Sequence, residues 1–399
     1  MIQSDSKMIK NIRLLYIHNF LNDFRFHNAF LAIYFAQITG SYTVAMSVFA
    51  IATVTSAIMD IPTGILSDKM GRKFTVAFAS ICSTLSVALY AFAHNKTVLL
   101  LGGSLGGLSE CLFNGNNNAF MYESLKAVGQ ESQFHHYQGR ANSMFQLGLG
   151  LSALAATFLV SGGLRFVFLL GIIPQALSVF VSFMFHEPDA RVDAPKKSFE
   201  HLKQALIDAY RNPRLLFLIA GQAISFGANE SKFQFQTAYF NILWPTWALG
   251  LYRAMGHSLG FIGFWLSGHI IDRFKETPVL IFREIYWLIS QTIGIILSNV
   301  ITPIFFLSGS VFFGPGVVAR DHLLQKQFTD EQRATMGSIA SFAGSIVFAI
   351  LAFCIGIIAD KFGLAAGVGF GVVMSATSLP FYMYLFRKSA PFVKHKQEV

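Results

Sequence analysis

The residues able to do chemistry in this chain are ionisable groups set inside long apolar runs. Asp23 and Arg25 interrupt the first run, Glu110 the fourth, Glu230 and Lys232 the seventh, and Arg253 the eighth. A charge held inside hydrocarbon is costly and persists where it faces a water-filled cavity or a partner. A carboxylate sequestered in this way can load and release a proton, so Asp23 or Glu110 could couple a proton to a neighbouring ligand. Arg25 offers the alternative, a fixed ion pair that neutralises Asp23. Uncharged polar residues repeat at helical spacing around these charges. His18, Asn22 and Arg25 form one stripe, and Asn19, Asp23 and His27 its neighbour. Glu110, Asn114, Asn117 and Asn118 share a face, as do Gln222, Ser225, Asn229 and Gln236. At about 1.5 Å per residue, Asp23 and Glu110 fall near the middle of their runs. Such stripes suit a solute site, and they suit equally well interhelical hydrogen bonds that only hold a bundle together. Arg283 and Glu284 are expected to form a local structural pair. Cys82, Cys111 and Cys354 lie inside apolar runs without metal or disulfide spacing and are expected to pack.

The elements that position these groups follow from composition. Of 399 residues, 53% are hydrophobic and 13% charged, against about 25% charged in a soluble domain. Apolar runs of about 20 residues, the length that crosses a bilayer as a helix, recur along the chain. The alternation of a membrane β-barrel is absent, so the expected fold is an all-α membrane protein. Twelve spans are predicted: 12–38, 42–66, 74–94, 97–122, 139–162, 165–186, 214–238, 244–271, 278–298, 301–319, 335–358 and 364–386. The longest polar stretch, 187–213, separates a six-helix half at 1–186 from another at 214–399. Within it Phe199, Leu202, Leu206 and Ala209 share a helical face, which predicts an amphipathic helix at the membrane surface. The polar stretch Met1–Lys10 leads into a long first span, unlike a cleaved signal peptide.

Lys and Arg placement sets the orientation. Lys69, Arg72, Lys73, Arg140, Lys196, Lys197, Arg273, Lys326, Arg333, Arg387 and Lys388 fall in alternate loops, whereas the opposite loops hold Lys96, Arg165 and Lys361. The positive-inside bias then places both termini in the cytoplasm. It also accounts for the net charge of +9 without any nucleic-acid partner.

Two loops repeat. Gly64-Ile-Leu-Ser-Asp68-Lys69-Met-Gly71-Arg72-Lys73 follows the second span, and Gly268-His-Ile-Ile-Asp272-Arg273-Phe-Lys275 follows the eighth, 204 residues later. Gly139-Arg140-Ala-Asn-Ser143 recurs as Gln332-Arg333-Ala-Thr-Met-Gly-Ser338. Matched loops at nearly one offset point to duplicated halves. In the first loop Gly64 allows close helix approach, Gly71 a tight turn, and Asp68 can accept from Arg72 or a neighbouring helix.

With Asp60-Ile-Pro-Thr ahead of it, this loop resembles the signature of the major facilitator superfamily. Tyr122-Glu123-Ser124-Leu125 and Arg333-Ala334-Thr335 resemble loops of its bacterial drug and siderophore exporter-like group. The resemblance implies two pseudo-symmetric six-helix halves that move a small solute by alternating access. Spans one, four, seven and ten would line the cavity, which largely agrees with where the charges lie, Arg253 of the eighth span being the exception. It also implies a conformational latch, assigned here to Asp60, Gly64, Asp68, Gly71, Arg72, Lys73, Arg140, Asp272, Arg273 and Arg333. The substrate and proton-coupling candidates are Asp23, Arg25, Glu110, Asn114, Asn117, Asn229, Glu230 and Arg253. The family's antiporter signature, a Gly-Pro pair in the fifth span, is absent: Gln146-Leu-Gly148-Leu-Gly150-Leu-Ser152 has no proline. Proton-coupled efflux from the bacterial inner membrane by a monomer is the expectation. A solute importer is the first alternative and a non-transporting receptor or scaffold the second. No enzymatic activity, cofactor or metal is expected. A phosphate-binding Gly-x-x-x-x-Gly-Lys-Ser/Thr loop is missing, so transport driven by ATP from within this chain is not expected.

Overall fold

The computed structural model describes residues 2–188, 213–325 and 330–387; the amphipathic helix expected within 187–213 lies outside them. Helices fill the described residues. They are α1 (Ile2–Asp23), α2 (Leu31–Thr39), α3 (Tyr42–Met70), α4 (Arg72–Phe92), α5 (Lys96–Lys126), α6 (Phe134–Leu159), α7 (Leu164–Phe183), α8 (Pro213–Phe240) and α9 (Thr246–Phe274). They continue as α10 (Glu276–Leu297), α11 (Thr302–Ser308), α12 (Phe313–Gln325), α13 (Asp330–Phe362), α14 (Leu364–Ala376) and α15 (Leu379–Arg387).

Each of the twelve predicted spans has its helix, with three corrections. The first is not continuous: α1 stops at Asp23, a 3-10 turn covers Phe26–Ala29, and α2 resumes at Leu31. The tenth splits into α11 and α12 around a 3-10 turn at Gly309–Phe312, and the twelfth into α14 and α15. Among the described residues nine helices are long and apolar enough on their own to cross a membrane. The first, seventh and eighth spans are not among them, and all three carry buried charge. Large apolar side chains such as Trp265, Ile296 and Phe362 are about three-quarters exposed, at 77%, 76% and 74%. That exposure fits residues solvated by acyl chains rather than water.

Local signals explain the boundaries. The side chain of Ser41 caps α3 by accepting from the Val44 amide at 3.3 Å, and Asn95 caps α5 by accepting from Val98 at 3.1 Å. Such caps satisfy amides left over at a helix start. Gly71 stands between α3 and α4 at φ 90°, a conformation natural to glycine. Its counterpart 204 residues on is Lys275, also left-handed at φ 66°, where a Cβ is strained. The same turn forms there with lysine at the position glycine holds in the first loop.

The chain divides into two compact units. One comprises Met1–Lys197, Ser231–Ser258 and Phe348–Val368, the other Ser198–Glu230, Leu259–Val347 and Gly369–Val399. In the first unit α5 lies against α3 at paired glycines. A Cβ on Gly103 would come within 2.7 Å of the Val48 carbonyl, so only glycine allows that approach. In the second unit Trp287 of α10 donates its ring N–H to the Gly309 carbonyl at 2.8 Å. That bond fastens the turn between α11 and α12.

A charged break in the first span

The interruption after Asp23 is built from outside the first span. A helix end leaves carbonyls without intrahelical partners, and within a bilayer water cannot serve them. Gln175, wholly buried on α7, supplies the donors: its Nε2 donates to the Leu21 carbonyl at 3.3 Å and to that of Asn22 at 3.0 Å. Its Oε1 accepts from the Ser83 hydroxyl of α4 at 2.7 Å, which fixes the amide's orientation. Arg25 Nε also donates to the Asn22 carbonyl, at 2.7 Å. Gly148 of α6 closes the fourth side, because a Cβ there would lie 2.8 Å from the Phe20 carbonyl and 3.2 Å from Asp23 C. Replacing Gln175 by Leu should lower stability by about 1 kcal/mol, the cost of losing its buried hydrogen bonds, because the Leu21 carbonyl keeps the Phe24 amide at 3.2 Å and the Asn22 carbonyl keeps Arg25 Nε. Ser83→Ala should cost less. Thermal unfolding of the two purified variants beside the wild type measures both, and an unchanged Gln175→Leu midpoint would refute this role.

The break sets its charges side by side. Asp23 is 7% exposed, and its Oδ1 lies 3.7 Å from Arg25 Nη2, whose side chain is 35% exposed. Glu110 on α5 lies within Coulombic reach of both groups. Glu110, Asn114 and Asn118, spaced one turn apart, are exposed although they sit mid-helix. Asn117 is half-buried, with its Oδ1 unpartnered. The structure therefore joins Asp23, Arg25 and Glu110, and places beside them an accessible polar face on α5. With both carboxylates ionised the three charges sum to one negative charge, and one bound proton or cation neutralises it.

The stripe of His18, Asn22 and Arg25 is corrected, because helical spacing ends at Asp23. His18 faces the core: its Nε2 is 2.8 Å from the Ser80 hydroxyl, and its ring stacks on Phe113. His27 is buried beside Phe168. The other candidates make contacts of their own. Arg253 is buried, places its guanidinium 3.7 Å from the Phe233 ring centroid and donates from Nη2 to the Phe233 carbonyl at 2.8 Å. Lys232 is buried on α8, whereas Glu230 is half-buried. Asn229 donates to the Ser225 carbonyl at 2.9 Å. Arg283 and Glu284 form a fully buried pair, as expected, bridged by the Ser225 hydroxyl, which donates to Glu284 at 2.8 Å.

At the other end of the first unit the repeated loop is a polar network. Arg72 Nε donates to Glu123 Oε1 at 3.2 Å, and Nη1 donates to the Ser67 hydroxyl at 2.7 Å and to Asn116 Oδ1 at 3.1 Å. Glu187, beyond α7, accepts from the amides of Arg72 and Lys73 at 2.6 and 2.8 Å. Its carboxylate fills the space a Cβ on Gly71 would need. Asp60 is half-buried, and Arg140, Asp272 and Arg273 are exposed. The side chains of Asp68 and Arg333 are outside the described residues.

Residues 15–351 match the sequence profile of the Major Facilitator Superfamily. The chain belongs to this superfamily of transporters. Superfamily relatives include YxaM, an uncharacterized MFS-type transporter of Bacillus subtilis, 22% identical over 84% of this chain and 85% of its own. The quinolone resistance protein NorA of Staphylococcus aureus is 26% identical over 44% of this chain and 45% of its own. Among solved structures, a point mutant of the nucleoside transporter NupG superposes with TM-score 0.78 at 12% identity, over 94% of this chain and 99% of that one. The E. coli fucose:proton symporter FucP superposes with TM-score 0.60 at 18% identity, over 95% and 99%. The fold is accordingly the twelve-helix major facilitator fold of two pseudo-symmetric halves. The protein is a multi-pass secondary transporter and not an enzyme.

Proposed function

We propose that this transporter exports a small organic solute of the drug or siderophore class in exchange for protons. The carrying observation is the break in the first span, which sets Asp23 against Arg25 and within reach of the accessible Glu110. An arginine paired with one carboxylate and within Coulombic reach of a second is a switchable arrangement: protonating Asp23 frees Arg25 to turn to Glu110, and a cationic or hydrogen-bonding solute competes for the same acids. Export is favoured by the similarity to a quinolone resistance protein. The halves are assigned to 1–186 and 214–399 with 187–213 as cytoplasmic linker. The chain works as a monomer in the bacterial inner membrane with both termini inside.

Proteoliposomes test the proposal. A fluorescent quinolone, the solute class in NorA's name, is loaded with and without a pH gradient, and its flux is followed in both directions. Gradient-dependent flux is expected, falling at least about tenfold in Asp23→Asn or Glu110→Gln, which corresponds to about 1.4 kcal/mol. Equal flux in both variants and wild type removes these carboxylates from coupling. Uptake running with the proton gradient reverses the direction.

A further inference from the structure

A cavity of about 790 Å³ lies where the first turns of α1, the start of α4 and the residues after α7 meet. Its polar lining includes Lys7, Lys10, Lys73 and His186, and its apolar lining includes Phe74, Phe183 and Met184. The two adjoining spans, Arg72–Phe92 and Leu164–Phe183, both end here, so the cavity opens at the boundary between hydrocarbon and water. Phe74 and Phe183 are more than half exposed, at 53% and 51%, and present themselves to acyl chains.

The charges converge. Lys7 and Lys10 lie three residues apart on one face of α1 and are exposed. Lys73 enters from α4. Partial burial, and then the nearby ammoniums of Lys7, Lys10 and Lys73, hold the His186 imidazole below its ordinary value. The acid in the lining is already engaged, since both oxygens of Glu187 accept from backbone amides of α4. Three ammonium groups thus face one pocket against one occupied carboxylate, above an apolar rim at membrane level. Basic pockets of this kind at the cytoplasmic side of membrane helices suit anionic lipid headgroups, each lysine contributing about 1 kcal/mol.

We infer that this cavity binds the phosphate headgroup of an anionic phospholipid, with its acyl chains lying along Phe74, Phe183 and Met184. The site lies apart from the Asp23 break and does not depend on the solute or its direction.

The test uses the full chain purified in detergent, with native mass spectrometry and melting curves. Phosphatidylglycerol, phosphatidylcholine and inorganic phosphate are offered separately to wild type, to Lys10→Gln and to Lys7→Gln/Lys10→Gln. The wild type should retain phosphatidylglycerol in preference to phosphatidylcholine, and phosphate alone should leave its melting midpoint unmoved. Loss of two lysines should weaken phosphatidylglycerol retention about thirtyfold, and loss of one about fivefold. Equal retention of the two lipids by the wild type, or undiminished retention by the well-folded double variant, overturns the site. Stabilisation by phosphate equal to that by phosphatidylglycerol assigns the cavity to a free anion and overturns the lipid.

Discussion

Arg72→Met should destabilise the transporter by about 3–5 kcal/mol, the range seen when one partner of a buried ion pair is removed. Glu123 is 3% exposed on its side chain, and Arg72 is the cation beside it at 3.2 Å. Methionine fills much of the same volume but removes the charge-assisted bond that Arg72 Nε makes to this buried carboxylate. It also strips the donors that Ser67 and Asn116 accept. Lysine is a poor substitute, because a single ammonium cannot serve three acceptors in the guanidinium's planar fork. The decisive comparison is a double-mutant cycle with Glu123→Gln. With the carboxylate neutralised, Arg72→Met should cost far less, and the double variant should melt above the single one. A drop in melting midpoint of roughly 6–10 °C is expected for Arg72→Met alone. A drop below about 2 °C would show that other groups hold Glu123. This network fastens α3, α4 and α5 to one another at one end of the first unit.

What the sequence made legible was periodic or repeated. The spans could be read because about 20 apolar residues satisfy the bilayer only as helices. The repeated turn could be read because two loops match at an offset of 204 residues. Asp23, Arg25 and Glu110 could be read because charge stands out in an apolar run. What stayed hidden depends on partners far away in sequence. The break after Asp23 has no proline or glycine to announce it. Its support is Gln175, more than 150 residues away, and the only available signal was a lone amide in an otherwise apolar span. Glu187 was passed over as a linker residue, although its carboxylate caps α4. The stripes on α1 and α8 left two readings open because hydrogen bonding within a bundle has the same period as a lining face; His18 and Ser225 both bond to protein groups.

The hidden partner with the most consequence is Asp360, at the far end of α13. Its carboxylate accepts from the Ser41 hydroxyl and the Tyr42 amide, both at 2.7 Å, and from the Thr43 amide and hydroxyl at 3.0 and 2.7 Å. The Tyr42 and Thr43 amides belong to the first turn of α3, where no intrahelical acceptor exists, and the helix dipole adds to the attraction. Gly356, one turn earlier on α13, allows the approach: a Cβ there would lie 2.6 Å from Thr43 Cα. Tyr42 also packs edge-on to Phe235 of α8. Asp360 and its partners are more than 300 residues apart in sequence yet lie in the same compact unit, so the junction ties the far end of α13 to the start of α3. The position is exposed, and each bond is therefore worth well under its buried value, so together they hold about 2–3 kcal/mol. Asp360→Ala should release the Tyr42 and Thr43 amides, and their hydrogen exchange should accelerate by about thirty- to a hundredfold. Asp360→Asn keeps an acceptor without its charge and should fall between. Unchanged exchange in the alanine variant would mean that Gly356 and Phe235 close this junction by packing alone.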